Sequence, residues 1–367
     1  MNEQRLRKCQ DQTVAHGLDG VVLMPGPNML YISGMHTHAS ERPILLFVPA
    51  DDETAIIIPE LEAMKAEAAG IDPRRIFAWN DQDGYMGAFQ HACAMLELSD
   101  YLLGVEVLRM RVLEYELLRR YAPGLKTTPA ETVMNVLRLR KDAQELTAMR
   151  RAAQVAEKAM QKLLPRIQVG QTEKQIAAML VQEMLAAGSQ ATPFGPIVST
   201  GPNSASPHAV PTDRPIQHGD LLVIDWGAMI DDYPSDITRT FAVGEIEPEF
   251  HRIYNTVLLA NEEGKRVSRP GITGEAIDRA ARDVIEKAGY GPYFIHRTGH
   301  GLGLETHEHP SLVAGEREPL PAGAVFTVEP GIYLPGRGGV RIEDDVVLIG
   351  NSHESLTTFP RELIRVG

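Results

Sequence analysis

Acidic side chains at the ends of apolar, strand-like runs constrain this chain more than any other feature of its sequence. Asp225 follows the run Leu221–Ile224, Glu329 follows AVFTV and precedes Pro330-Gly331, and Glu343 sits inside GVRIEDDVVLI. Runs of this kind are buried when they form strands, and a buried carboxylate without a partner is costly enough to keep its proton instead. Asp236 opens DITRTF, with the turn-forming IDDYPS between it and the Asp225 run. Two strands joined in this way predict a hairpin that sets the two carboxylates side by side. His300 lies in TGHGLGLETHEHP, where three glycines let the backbone pack close to another element. Four carboxylates near one another repel strongly unless a larger positive charge is present, and two divalent cations would supply it. One imidazole and four carboxylates suit hard or borderline ions such as Mn2+, Fe2+ or Co2+ better than thiolate-seeking ones.

The remaining sequence predicts two domains, in line with roughly 100–200 residues per domain. Within residues 1–130, the pieces DGVVLM, PILLFVP, TAIIIP, RIFAW and LLGVEVL read as strands, and ELEAMKAEAAG and DGYMGAFQHACAMLEL between them read as helices. That alternation predicts a layered α/β domain. A long run of helix formers from Thr132 to about Pro165 marks the boundary, with Glu145 and Arg150 expected on a charged outer face. A further helix ends at Gly188, a plausible stop. Beyond it, strand-like pieces and two more helices predict an α+β domain over residues 131–367, dominated by antiparallel hairpins.

The formal net charge of −13 argues against nucleic acid as a partner, since that binding needs clustered Lys and Arg. Cys9 and Cys93 are too few for a disulfide framework or a cysteine zinc site. The polar start MNEQRLRKCQDQT shows no signal peptide, and no apolar run approaches the ~20 residues needed to span a bilayer, so a cytoplasmic protein with no membrane partner is expected. Gly299, Gly301 and Gly303 lack the strand and acidic partner of a nucleotide loop. Gly336–Gly339 reads as a hairpin turn.

In order and local context, Asp225, Asp236, His300, Glu329 and Glu343 resemble the ligand set of the pita-bread metallopeptidases: methionine aminopeptidase, Xaa-Pro aminopeptidase and prolidase. The motifs that carry the resemblance are VIDWGA, SDITRTF, TGHGLGLETHE, TVEPGIY and VRIEDDV. It implies an N-terminal α/β creatinase-like domain followed by a C-terminal pita-bread domain. The N-terminal domain favours the Xaa-Pro branch, because methionine aminopeptidases lack it. By this resemblance Asp225 chelates one metal, His300 and Glu329 hold the other, and Asp236 and Glu343 bridge both. His208 and His307 match catalytic histidines, Glu329 also serves in proton transfer, and His296 matches a position of the proline pocket. Arg341, two residues before Glu343, is expected as a charge partner of a ligand carboxylate.

The implied activity is hydrolysis of the bond between an N-terminal residue and proline in small peptides. Mn2+ is the implied ion, with Co2+, Fe2+ or Zn2+ as alternatives, and the implied assembly is a homodimer. Some prolidases carry an Arg after the HE pair; here HEHP is followed by Ser311, which leaves dipeptidase and aminopeptidase open. His36 and His38, on an N-domain loop, read as surface residues, although such a loop can cover the site in relatives. The alternative reading is a non-peptidase hydrolase or lyase on the same scaffold, acting on a small amidine, ectoine-like or sulfonium compound.

Overall fold

The computed structural model describes residues 1–367 and divides into two units, Met1–Arg138 and Leu139–Gly367. In the first, strands β1 (Gly20–Leu23), β2 (Leu45–Pro49), β3 (Ala55–Pro59), β4 (Ile76–Trp79), β5 (Leu102–Val105) and β6 (Lys126–Pro129) form one sheet in the order β4-β3-β2-β1-β5-β6. Five helices flank it: α1 (Glu3–Ala15), α2 (Pro27–Ser33), α3 (Ala63–Ala68), α4 (Met86–Met95) and α5 (Val112–Tyr121). The central strands are apolar without alternation and buried along their whole length, as strands covered on both faces must be. The sequence KTTP of β6 carries no such signal; backbone pairing with β5 makes it a strand.

Helix α6 (Glu131–Leu139) carries the division. Tyr31 donates to the Leu137 carbonyl at 3.1 Å and Arg138 to Asn28 at 2.8 Å, tying α6 to the first unit. The units therefore part after Arg138 rather than at the expected 130/131 position.

The second unit opens with α7 (Ala143–Leu163) and α8 (Glu173–Ala186). Glu145 is not on an outer face. It closes a capping box with Asp142 and accepts the Tyr233 hydroxyl at 2.7 Å, because a helix N-terminus needs acceptors for its free N–H groups. The strands follow as β7 (Ile197–Thr200), β8 (Leu221–Trp226), β9 (Met229–Ile230), β10 (Tyr233–Pro234) and β11 (Ile237–Val243). After helices α9 (Pro248–Val267) and α10 (Gly274–Lys287) come β12 (Gly299–Gly301), β13 (Glu308–Leu312), β14 (Val325–Val328), β15 (Gly331–Leu334), β16 (Gly338–Arg341), β17 (Asp344–Ile349), β18 (Ser352–Ser355) and β19 (Arg365–Val366).

They build a four-stranded sheet, β19-β11-β8-β7, and a five-stranded sheet, β13-β12-β14-β17-β18, with β9/β10 and β15/β16 as separate hairpins. Trp226 anchors the first sheet to α7, its indole N–H donating to the Ala156 carbonyl at 3.0 Å over a core that includes Phe241 and Phe359. The sheets meet where the Glu343 N–H donates to the Thr238 carbonyl at 3.1 Å. That junction is where the acidic residues gather.

Candidate metal centre

Strands β8 and β11 pair antiparallel with Asp225 opposite Thr238. Side chains alternate along a strand, so Asp236, two residues before Thr238, shares the face of Asp225 as the hairpin requires. In the other sheet Val328 of β14 lies opposite Asp344 of β17, so the next residues, Glu329 and Glu343, emerge at the same end of that pair. His300 arrives on β12, whose Gly301 pairs with Phe326. A Cβ on Gly299 would stand 1.9 Å from the Thr327 carbonyl oxygen, and one on Gly301 2.2 Å from that of His309. Only glycine permits this approach, which is what brings His300 to the acids.

Asp236, His300 and Glu343 are buried and present ligand atoms all within 4.8 Å of one another. His300 Nε2 stands 3.2 Å from Glu329 Oε1 and 3.8 Å from Asp236 Oδ2. Its Nδ1–H donates to the Gly301 carbonyl at 3.2 Å, which leaves the Nε2 lone pair facing the carboxylates. Burial, with neighbouring His307 adding, holds this imidazole neutral, well below its ordinary pKa. Asp225 Oδ2 accepts from Arg341 Nη2 at 2.7 Å, so Arg341 is the charge partner expected of it.

The acids are poorly compensated. Burial and then the surrounding carboxylates push Asp236 and Glu343 well above the ordinary carboxylate range. Glu329 is raised to about 7, by burial first, with Arg341 opposing and Asp225 adding to the rise. Asp225 Oδ1 and Asp236 Oδ1 are buried without a hydrogen-bond partner. Unpartnered oxygens, mutual repulsion and a neutral imidazole with its lone pair turned inward together fit divalent cations bound by oxygen and one nitrogen.

Side chains that the sequence reading passed over hold these groups in place. Thr238 donates to Glu343 Oε2 at 2.5 Å, and Thr327 to Glu329 Oε1 at 3.3 Å. Each lies two residues from a candidate ligand, a spacing that could have flagged them. Arg341 also donates to the Tyr333 hydroxyl at 3.0 Å and the Pro207 carbonyl at 3.1 Å. Asp344 belongs to a separate arrangement. Arg239 Nη2 reaches its Oδ1 at 2.8 Å and Lys265 Nζ its Oδ2 at 2.6 Å, and against the upward push of burial these cations hold it below the ordinary range.

A cavity of about 740 Å3 opens onto the centre, lined by the four acids and His300 together with His208, His296, Arg297 and His307. His208 is exposed, on the turn after Gly201–Ala205. The His307 ring lies 4.0 Å from that of His300. His296 donates from Nδ1 to the Arg297 carbonyl at 2.7 Å and accepts the Tyr333 hydroxyl on Nε2 at 2.9 Å. Burial foremost lowers its pKa to about 4, so it offers the cavity a neutral ring with both nitrogens engaged. Arg297 donates to the Ser311 hydroxyl at 3.1 Å. His36 and His38 are exposed residues of the first unit.

Residues 147–349 match the family model described as metallopeptidase family M24, and residues 5–140 match the creatinase/prolidase N-terminal domain. The chain is 34% identical to the Xaa-Pro dipeptidase of Pyrococcus horikoshii, across 99% of each protein. Among solved structures it is similar to the prolidase from Thermococcus sibiricus, with a TM-score of 0.95 and 33% identity over 100% of this chain and 99% of that one. It is also similar to dipeptidase PepE from Mycobacterium ulcerans, with a TM-score of 0.92 and 35% identity over 99% and 97% of the two chains.

Proposed function

The chain belongs to metallopeptidase family M24, a peptide hydrolase with a creatinase/prolidase N-terminal domain ahead of its pita-bread catalytic domain, and on that premise we propose that it cleaves Xaa-Pro dipeptides. The observation that carries the reading is the convergence of Asp225, Asp236, His300, Glu329 and Glu343 on one cavity with His208, His296 and His307 around it. We take those five as the ligands of two divalent ions. When bound, the ions supply Lewis-acid polarisation of a carbonyl and a water of lowered pKa.

The protein's own groups do the rest. Glu329 accepts the proton of the attacking water and returns it to the leaving proline nitrogen. His208 and His307 donate hydrogen bonds to the carbonyl oxygen as it gains charge. Arg341 fixes Asp225 and, through the Pro207 carbonyl, the loop that carries His208. A proline nitrogen has no proton to donate, so the ring must be recognised by shape, and the neutral face of His296 suits that task. Dipeptide preference rests on the names of the relatives and on Arg297, which brings a guanidinium to Ser311, in the stretch after the HE pair where some prolidases carry an arginine.

We further assign Mn2+ as the native ion, from the oxygen-rich ligand set, and a homodimer, from the resemblance alone. No helix is long and apolar enough to cross a membrane. The decisive experiment strips metal with a chelator, adds back Mn2+ or Co2+, and compares Xaa-Pro with Xaa-Pro-Yaa for wild type and Glu329→Gln. Metal-dependent cleavage, faster on Xaa-Pro and lost in the variant, is expected. Metal retained with every proline peptide left intact would instead support the non-peptidase alternative, which the named relatives do not favour.

A further inference from the structure

His307 is placed beside His300 by the protein, yet no side-chain or backbone group hydrogen-bonds its ring. Its position therefore depends on the backbone to either side. The residue that follows it, Glu308, is gripped tightly. Lys141 Nζ stands 2.7 Å from Glu308 Oε1, with the two side chains only 1% and 6% exposed. Glu308 Oε2 accepts the Glu305 N–H at 3.4 Å. The loop passes so near this carboxylate that a Cβ on Gly303 would stand 2.3 Å from Oε1. Lys141 is itself fixed, its N–H donating to the Gly323 carbonyl at 2.9 Å.

Residues 303–308 thus fold round one carboxylate whose counter-charge comes from a residue 167 positions away. Removing two charges from water is expensive, and such a pair gives less stability than an apolar pair of similar volume often would. What it does give is a defined position for the loop. We infer that the Lys141–Glu308 ion pair is a positioning device for His307, with Lys141 acting on the reaction through the backbone of the 303–308 loop. The inference rests on the role assigned to His307 above.

The test uses four metal-saturated proteins: wild type, His307→Ala, the double variant Lys141→Met/Glu308→Gln, and the three changes together. Both charges are removed at once because Lys141→Met alone would strand a buried carboxylate. Lys141→Gln with Glu308→Gln, which keeps a polar pair and an acceptor for the Glu305 N–H, gives the same direction should the first double variant not fold. The double variant is expected to melt as wild type does, with KM nearly unchanged. Its kcat should fall at least about tenfold, short of the about 10^2–10^3-fold loss on removing an oxyanion donor outright. Added to His307→Ala, it should cause no further loss, since both changes disable the same group.

A double variant with wild-type kcat overturns the inference. So does a loss that multiplies with that of His307→Ala, or one that excess metal repairs. His307→Ala with wild-type kcat also overturns it, and then locates the fault in the role given to His307 rather than in the ion pair.

Discussion

Two buried acidic sites adjoin in the catalytic unit and are handled in opposite ways. Asp344 is enclosed by Arg239 and Lys265 and is held ionised by them. One residue earlier, Glu343 joins Asp225, Asp236 and Glu329, and Arg341 is the cation paired into that group, on Asp225. The first site has its counter-charges within the protein alone. The second is complete only with charge from outside it. Burial by itself does not tell a structural acid from a functional one; the balance of charge around it does.

The largest expected effect separates the sites by activity. Glu329→Gln should lower kcat by about 10^3-fold, within the range for loss of a positioned acid–base group, and leave the fold intact. Steady-state kinetics on an Xaa-Pro dipeptide check it. Stability should separate them next. Asp344→Asn leaves two buried cations short of their partner and should cost about 3–5 kcal/mol by urea denaturation. Asp236→Asn in metal-free protein replaces an acid whose ionisation is opposed by burial and by the neighbouring carboxylates, and should leave stability equal or higher. Equal losses from the two would abolish the distinction.

The pH dependence sharpens the comparison because the two signs differ. Glu329 has a folded pKa of about 7, above its unfolded value, so its stabilising contribution in metal-free protein is complete below the unfolded value. That contribution is lost as the pH rises through about 7. Asp344 is depressed, so its contribution is present above the unfolded value and fades only as acid reaches the lowered one. Thermal melts of metal-free protein should therefore fall between about pH 5 and 8, and added Mn2+ should restore most at the alkaline end. The smallest effect is expected from Thr238→Val, which removes the donor to Glu343 and should weaken metal binding about tenfold, as titration would measure.

Much of the candidate centre was readable from the residues and the family resemblance together, because the candidate ligands sit in short stretches where a charge ends an apolar run. The Asp225–Asp236 hairpin, the close-packing glycines of β12 and a charge partner at Arg341 followed from spacing; that Arg341 pairs with Asp225, 116 positions away, did not. The compensating partners did not. Lys265 and Asp344 lie 79 positions apart, and Lys141 and Glu308 lie 167 apart, so nothing local in either stretch announces the other. Glu145 misled for a related reason: its spacing from Arg150 suggests a solvent-facing pair, while its actual work is at the end of a helix. The unit boundary moved because α6 is held by Asn28 and Tyr31, contacts made across the chain rather than along it.

The adjacency of Glu343 and Asp344 has a consequence for how this segment can change. Neighbouring side chains point to opposite sides of an extended backbone, so parity alone sends one acid to the open cavity and the other to the two cations. Gaining or losing a single residue between Arg341 and Glu343 would exchange their destinations. A deletion would deliver Asp344 to the cavity and turn Asp345 toward Arg239 and Lys265; an insertion would turn Glu343 toward those cations and leave the cavity one carboxylate short. Insertions here should be tolerated in pairs or not at all, a counting rule written into two successive carboxylates.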